Sequence, residues 1–336
     1  MKACVTGGTG YIASLLVKCL LEKGYAVNTT ARDLSDNVKV SHLLELQKQY
    51  SMRENQLRIF QADLKNEGSF EAAVAGCDIV FHVATPVNFG SLDPENDMIK
   101  PAIQGTLDVL RACKKAKMVK RVVLTSSAAA VSIKNSKASS HEHDLVVDEE
   151  RWTDVEFLAS EKPPGWGYPV SKSLAEKAAW KYAEENHIDL ITVIPSLVAG
   201  PAITSKVPSS IPIAMSLVTG NESLIKILKS MEQESGSISI THVEDVVQAH
   251  IFLATKESAS GRYICCAVNS SIAEIVKFLK MRYPQYHITT DFEEIPAKTM
   301  LSSEKLVKEG FHFKYGIDEI YDQSIQYFKE VGILQK

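Results

Sequence analysis

A tyrosine and a lysine four residues apart, in the run Gly167-Tyr168-Pro169-Val170-Ser171-Lys172, are the side chains of this sequence with most chemistry to offer. On a helix starting near Trp166 that spacing puts phenol and ammonium on one face. There the cation would favour the phenolate and bring a hydroxyl of ordinary pKa ~10 closer to proton exchange at neutral pH. Taken alone, the pair is an everyday surface arrangement. It gains weight from Ser127, which ends the apolar run Leu124-Thr125-Ser126-Ser127. Placed beside Tyr168, Ser127 would orient a substrate oxygen on which charge develops or to which a proton must be delivered. Ser126 is the alternative hydroxyl, and either serine would also serve simply as a strand cap.

The start of the chain supplies what such a proton donor needs beside it. Thr6-Gly7-Gly8-Thr9-Gly10-Tyr11-Ile12-Ala13 follows a strand-like run and opens a helical one, the context that makes a glycine pattern a dinucleotide site. Glycines allow the tight turn and the close approach of a pyrophosphate, and the helix N-terminus attracts its charge. Ala13 replaces the usual third glycine and is small enough for helix-strand packing. At the tip of the second strand Ala31 leaves out the acid that would bind a ribose 2′-hydroxyl, and Arg32 follows, which favours NADPH over NADH. Asp33 argues the other way and is expected to point away; Lys39 is a weaker partner for the same 2′-phosphate. Asp63 and Leu64 close the third strand, where they would border the adenine; an exposed loop carboxylate is the equal alternative for Asp63. Val83, Ala84 and Thr85 end the fourth strand and Pro195 the sixth, all at the sheet edge that would carry the dinucleotide. His82 reads as a packed core histidine.

These residues need a frame that brings strand ends together. Short β-like runs near Lys2–Thr6, Tyr25–Ala31, Leu57–Gln61, Ile79–Val83, Arg121–Ser126 and Leu190–Ile194 alternate with helical patterns near Tyr11–Lys23, Ser69–Ala75, Pro94–Lys117 and Trp166–Asn186. That alternation predicts an α/β fold, a Rossmann-type doubly wound parallel sheet. Beyond Pro195 the pattern is broken by Pro201, Pro208, Pro212 and Gly220, which predicts a smaller C-terminal substrate lobe. The expected division is 1–195 plus 237–266 for the nucleotide-binding body and 196–236 plus 267–336 for the lobe.

The 336 residues carry a formal charge of −4 with both signs interspersed, so neither a nucleic acid nor an anionic membrane surface is an expected partner. No apolar run is long enough to span a bilayer, and Met1-Lys2-Ala3-Cys4-Val5 runs straight into a strand, so a cytoplasmic protein is expected. The six cysteines stand in apolar segments without the spacing of a zinc or redox site and read as buried thiols. His141 and His143 belong to a polar surface excursion over Lys134–Asp148, and no metal site is expected.

With the loop from Thr6 to Ala13, Ser127, Tyr168 and Lys172 in place, the whole chain resembles the extended branch of the short-chain dehydrogenase/reductase superfamily. His82-Val83-Ala84-Thr85-Pro86, Asp97 to Gly105 and Leu174-Ala175-Glu176-Lys177-Ala178-Ala179-Trp180 are similar to the plant dihydroflavonol and anthocyanidin reductases. The runs Thr125 to Val131, Lys162 to Pro169 and Gly261 to Ala267 resemble the anthocyanidin-reducing side of that group. Dihydroflavonol reductases usually carry an asparagine where Ser132 stands. The resemblance implies NADPH-dependent reduction of an anthocyanidin such as cyanidin to a 2,3-cis-flavan-3-ol such as epicatechin. It also implies that Lys172 lowers the Tyr168 pKa and holds the nicotinamide ribose. A flat polyphenol needs an apolar slot, for which Val87, Ser132 and Trp166, with Pro208, Ile211 and Met215, are the candidates beside Ser127 and Tyr168. Reduction of a dihydroflavonol or a related phenolic ketone is the alternative. A non-catalytic NADPH-sensing regulator is the alternative of another class, against which the intact Ser127, Tyr168 and Lys172 speak.

Overall fold

In the computed structural model residues 1–335 are described, apart from 52–55, 89, 135–145, 289–296 and 298. His141 and His143 therefore lie outside the described residues. The strands are β1 (Lys2–Thr6), β2 (Ala26–Ala31), β3 (Leu57–Gln61), β4 (Ile79–His82), β5 (Arg121–Thr125), β6 (Val146–Val147), β7 (Leu190–Pro195), β8 (Leu197–Ala199), β9 (Ile238–His242), β10 (Gly261–Cys265), β11 (Val268–Ser270) and β12 (Met300–Leu301). The α-helices are α1 (Tyr11–Glu22), α2 (Asn37–Gln49), α3 (Glu71–Val74), α4 (Lys100–Ala116), α5 (Val155–Glu161), α6 (Gly167–Asn186) and α7 (Ser210–Ala214). They continue with α8 (Ser216–Thr219), α9 (Glu222–Ser235), α10 (Val243–Thr255), α11 (Ile272–Arg282), α12 (Glu304–Lys308) and α13 (Ile317–Glu330).

Seven strands form one sheet in the order β10-β7-β5-β4-β1-β2-β3, every neighbouring pair parallel. The order reverses between β2 and β4 at β1, the arrangement of a doubly wound Rossmann-type sheet, and ligands of such sheets bind at the carboxyl edge beside that switch. The central strands β1, β4, β5 and β7 are largely apolar and are buried on both faces, whereas the edge strand β3 exposes Arg58 and Gln61. On one side Ala3, Val5, Phe81 and Val193 pack with Leu16 and Leu20 of α1 and Val246 of α10. On the other, Cys4, Val80 and Val122 pack with Val109 of α4 and Ala179 of α6. All six cysteines are buried free thiols.

The helix expected over Pro94–Lys117 has two parts. A wide π-turn spans Glu95–Ile99, and α4 follows with Pro101 in its first turn, where a missing N–H costs nothing. This turn abuts the start of α6. A Cβ on Gly167 would overlap Pro94 and stand 2.9 Å from Met98 Cε, so glycine is what lets α6 begin there.

The lobe has its own core, built from Ile211, Met215, Leu217, Ile240, Ile275, Leu279, Ile320 and Phe328. Its small sheet has the order β11-β9-β8. The segment from residue 237 was expected in the nucleotide-binding body. Instead, β9 pairs with β8 and β11, and Ile238 and Ile240 enter the lobe core; the chain returns to the main sheet only with α10 and β10. Conversely, Leu306 of α12 and Phe311, expected in the lobe, pack into the main core. Among the described residues no helix is long and apolar enough to cross a membrane.

Candidate active site

The glycine loop is fixed by main-chain bonds to the neighbouring strand. Gly8 N–H donates to the Thr30 carbonyl at 2.8 Å, Gly7 N–H to Thr30 Oγ1 at 2.9 Å, and Gly10 N–H to the Gly7 carbonyl at 2.8 Å. Gly7 has φ +74°, and a Cβ there would stand 3.0 Å from Ala84; a Cβ on Gly8 would overlap Thr29 Oγ1. Thr6 is wholly buried and acts as a brace: its Oγ1 accepts from Val83 N–H at 3.1 Å and Ala84 N–H at 3.0 Å and meets His82 Nδ1 at 2.9 Å. The His82 ring also meets Thr106 Oγ1 at 3.1 Å, and burial holds its pKa at about 3, so it is the neutral core histidine expected. Helix α1 begins at Gly10 without a side-chain cap and with no acid in its first turn, a donor set suited to an anion. Thr9 and Ile12 are partly exposed there. The Tyr11 hydroxyl, by contrast, donates to the Gly200 carbonyl at 2.7 Å and so ties this helix to the lobe.

At the tip of β2, Arg32 is exposed, and Asp33 is turned aside, its carboxylate accepting from Ser35 N–H at 2.8 Å and Ser35 Oγ at 2.6 Å. Lys39 is paired with Asp36 at 2.7 Å. The Asp63 carboxylate accepts from Lys65 N–H at 2.9 Å, a local turn, and Leu64 lies against α4, where a Cβ on Gly105 would come within 2.6 Å of it.

The chemistry-bearing side chains meet at the ends of β5 and α6. The Tyr168 hydroxyl lies close enough to the Ser127 side chain for that serine to lower its pKa, and Ser127 Oγ accepts from Ala129 N–H at 3.2 Å. Lys172 is 6% exposed and donates to the Thr125 carbonyl at 2.8 Å. Burial pulls its pKa down to about 8, against the pull of Glu176. The expectation that Lys172 lowers the Tyr168 pKa is corrected here. Desolvation raises the Tyr168 pKa and Ser127 opposes the rise, while one donor of the Lys172 ammonium goes to the strand carbonyl. Tyr168 is accordingly a protonated donor at neutral pH. Ser126, the alternative hydroxyl, is turned away and donates to Glu176 at 2.6 Å.

Around this pair Val87 is 48% exposed, Ser132 is buried, and Trp166 is partly buried with Lys162 Nζ 5.5 Å from its ring. Pro195 ends β7 opposite Cys265. Ile211 and Met215 do not line a slot: both are wholly buried in the lobe core, because α7 turns its apolar face inward. Glu176 and Arg262, joined at 2.7 Å behind Lys172, escaped the sequence reading. The Tyr168-Lys172 spacing continued by one turn would have placed Glu176 on the same face; nothing local marks Arg262.

A Rossmann sheet with a hydroxyl donor, a serine and a buried lysine at its carboxyl edge defines a pyridine-nucleotide oxidoreductase of the extended short-chain type. Residues 3–266 match the NAD dependent epimerase/dehydratase family, to which the chain belongs. It is 67% identical over 335 residues to an anthocyanidin reductase ((2S)-flavan-3-ol-forming) of Vitis vinifera, covering 99% of this chain and 96% of the relative. A dihydroflavonol 4-reductase of Arabidopsis thaliana is 44% identical, with 98% and 83% covered. Among solved structures it is similar to vestitone reductase of alfalfa, Medicago sativa (TM-score 0.81, 38% identity, 99% of each chain). It is also similar to the yeast methylglyoxal/isovaleraldehyde reductase Gre2 complexed with NADPH (TM-score 0.82, 26% identity, 99% and 100%).

Proposed function

We propose that the chain is an NADPH-dependent reductase that converts anthocyanidins to flavan-3-ols. The observation that carries the reading is the meeting of Tyr168, Ser127 and the buried Lys172 at the end of β5, on the sheet edge where Ala84 touches the glycine loop. The high identity to the grape anthocyanidin reductase, against 44% to a dihydroflavonol 4-reductase, supports the substrate class, as does Ser132 in place of asparagine.

The cradle fits the cofactor: a Cβ at Gly7 or Gly8 would crowd it, and the uncapped N-terminus of α1 offers amides to a pyrophosphate. Gly7 to Ile12 would hold the diphosphate, Arg32 and Lys39 the 2′-phosphate, Asp63 and Leu64 the adenine side, and Val83 to Thr85 with Pro195 the nicotinamide side. NADPH supplies hydride when bound, and a flavylium cation, being electron-poor, accepts it; reduction to the flavan-3-ol takes two hydrides and one proton. Tyr168, kept protonated by burial, delivers that proton to a ring position or oxygen, and Ser127 orients the hydroxyl. Lys172, charged below about pH 8, holds the end of β5 through Thr125 and offers its remaining donors to a ribose. Val87, Ser132 and Trp166 would flank the flat ring system. Six free, buried thiols suit a reducing compartment, and we place the protein in the cytoplasm.

The test is incubation with NADPH and either cyanidin or dihydroquercetin, with products resolved by chiral chromatography. A flavan-3-ol from cyanidin alone is the expected result, and the C2 configuration is read in the same run, since the grape relative is named for a (2S) product. A leucoanthocyanidin from dihydroquercetin would move the chain to the dihydroflavonol branch.

A further inference from the structure

One turn beyond Lys172 on α6 lies a carboxylate that the reaction as described does not use. Glu176 is 1% exposed, and both of its oxygens are engaged. Arg262 Nε of β10 donates to Oε1 at 2.7 Å and Nη2 to Oε2 at 3.3 Å. Ser126 Oγ donates to Oε2 at 2.6 Å, and Trp180 Nε1 reaches Oε1 at 3.4 Å. The arginine is itself clamped: its guanidinium lies 3.6 Å from the centre of the Trp152 ring and donates to the carbonyls of Arg151, at 2.8 Å, and Glu149. A buried ion pair bears a desolvation cost that an apolar pair of equal volume avoids, so it is weak as a source of stability. Its position suggests another role. Lys172 and Glu176 line the same small cavity, about 10 Å³ and so large enough for about one water, together with Thr106, Thr125 and Ser126.

We propose that Glu176 is a positioning residue of the reductase: braced by Arg262 and Ser126, it faces Lys172 across this small cavity, holds the ammonium in its charged form, and fixes the end of β5 that carries Ser127. This rests on the reductase reading and deepens it. The other titratable or charged groups near Lys172 do not replace this carboxylate. His82 of β4 is neutral, Tyr168 is protonated, His250 of α10 is neutral and meets the far side of Thr125 at 2.8 Å, and Arg262 has the wrong sign. Burial has already brought Lys172 to about 8, so the loss of one favourable charge moves it through the working pH range.

The test reads Lys172 directly in the ligand-free protein, by NMR titration of ε-13C-labelled lysines, its signal assigned by its loss in Lys172→Arg. The wild-type midpoint is expected near 8. In Glu176→Gln it should fall by about one pH unit or more. The double variant Glu176→Gln with Arg262→Met leaves no lone buried guanidinium, folds more readily, and should shift in the same direction. Leu279→Ala in the lobe core, chosen for a matched loss of Tm, should leave the midpoint in place. In turnover, the alkaline limb of kcat should move to lower pH with the midpoint. A Lys172 midpoint that stays at the wild-type value in both Glu176 variants overturns the proposal. Because this titration uses neither cofactor nor substrate, its failure is distinct from failure of the reductase reading, which the product assay decides.

Discussion

Along the cofactor face of the site, Gly8 is held by the Thr30 carbonyl and Gly7 by the Thr30 hydroxyl of β2, and Ala84 by the Thr6 brace, all within one continuous sheet. The residues proposed to meet the substrate, Val87, Ser132 and Trp166, come from three separate segments: the stretch after β4, the one after β5, and the entry to α6. The first face depends on the absence of side chains, and the second on which side chains are present. A backbone cradle tolerates almost no change and so spells a motif, whereas a wall of side chains can be retuned residue by residue.

Four substitutions test this contrast. Tyr168→Phe, between the faces, should lower kcat roughly 10²–10⁴-fold while the NADPH Kd changes by less than about twofold, as measured by pre-steady-state turnover and fluorescence titration. Full turnover would remove Tyr168 from its role. Gly8→Ala should cost about 1–3 kcal/mol and weaken NADPH binding, because the new methyl overlaps Thr29 Oγ1. Adding Thr29→Ala should recover part of the loss despite giving up its bond to the Val5 carbonyl. If the double variant is no better than the single, the overlap is not the cause. Arg32→Asp should shift the NADPH-to-NADH preference by about tenfold or more, since one charge-assisted contact is exchanged for a repulsion; unchanged preference would assign the 2′-phosphate elsewhere. Trp166→Ala should raise the flavonoid KM by roughly 3–10-fold with the NADPH Kd unmoved, about the loss of one apolar contact. A change confined to NADPH would dissolve the distinction between the faces.

What the chain discloses before folding follows the same division. The loop from Thr6 to Ala13 and the Tyr168-Lys172 pair are local patterns, and β1 and α6, which carry them, fall within a residue of where the sequence pattern places them. Helix α2 went unseen because Asn37–Gln49 is polar enough to read as loop and shows only four buried positions. The membership of β9 in the lobe was hidden because an apolar strand does not say which sheet it joins; pairing with β8, Leu197 to Ile240 and so 43 positions apart, decided it. Gly167 carries a structural reason no motif contains, the approach of Pro94, and Arg262 meets Glu176 from 86 positions away. The fall in the Lys172 pKa likewise needs burial, which no spacing reports.

The way the lobe is joined to the sheet has a practical side. The chain leaves β7 for β8 through Ser196 alone and leaves β10 for β11 at Cys266 and Ala267, and both crossings converge on one hydroxyl. Thr241 Oγ1 meets Ser196 Oγ at 2.7 Å, donates to the Cys265 carbonyl at 3.1 Å, and accepts from Ala267 N–H at 3.1 Å. For protein engineering these crossings mark two of the splice points: a substrate lobe grafted from a relative would need Ser196, Thr241 and Ala267 to arrive together, and would also have to match the returns to the body at Val243 and at Leu306.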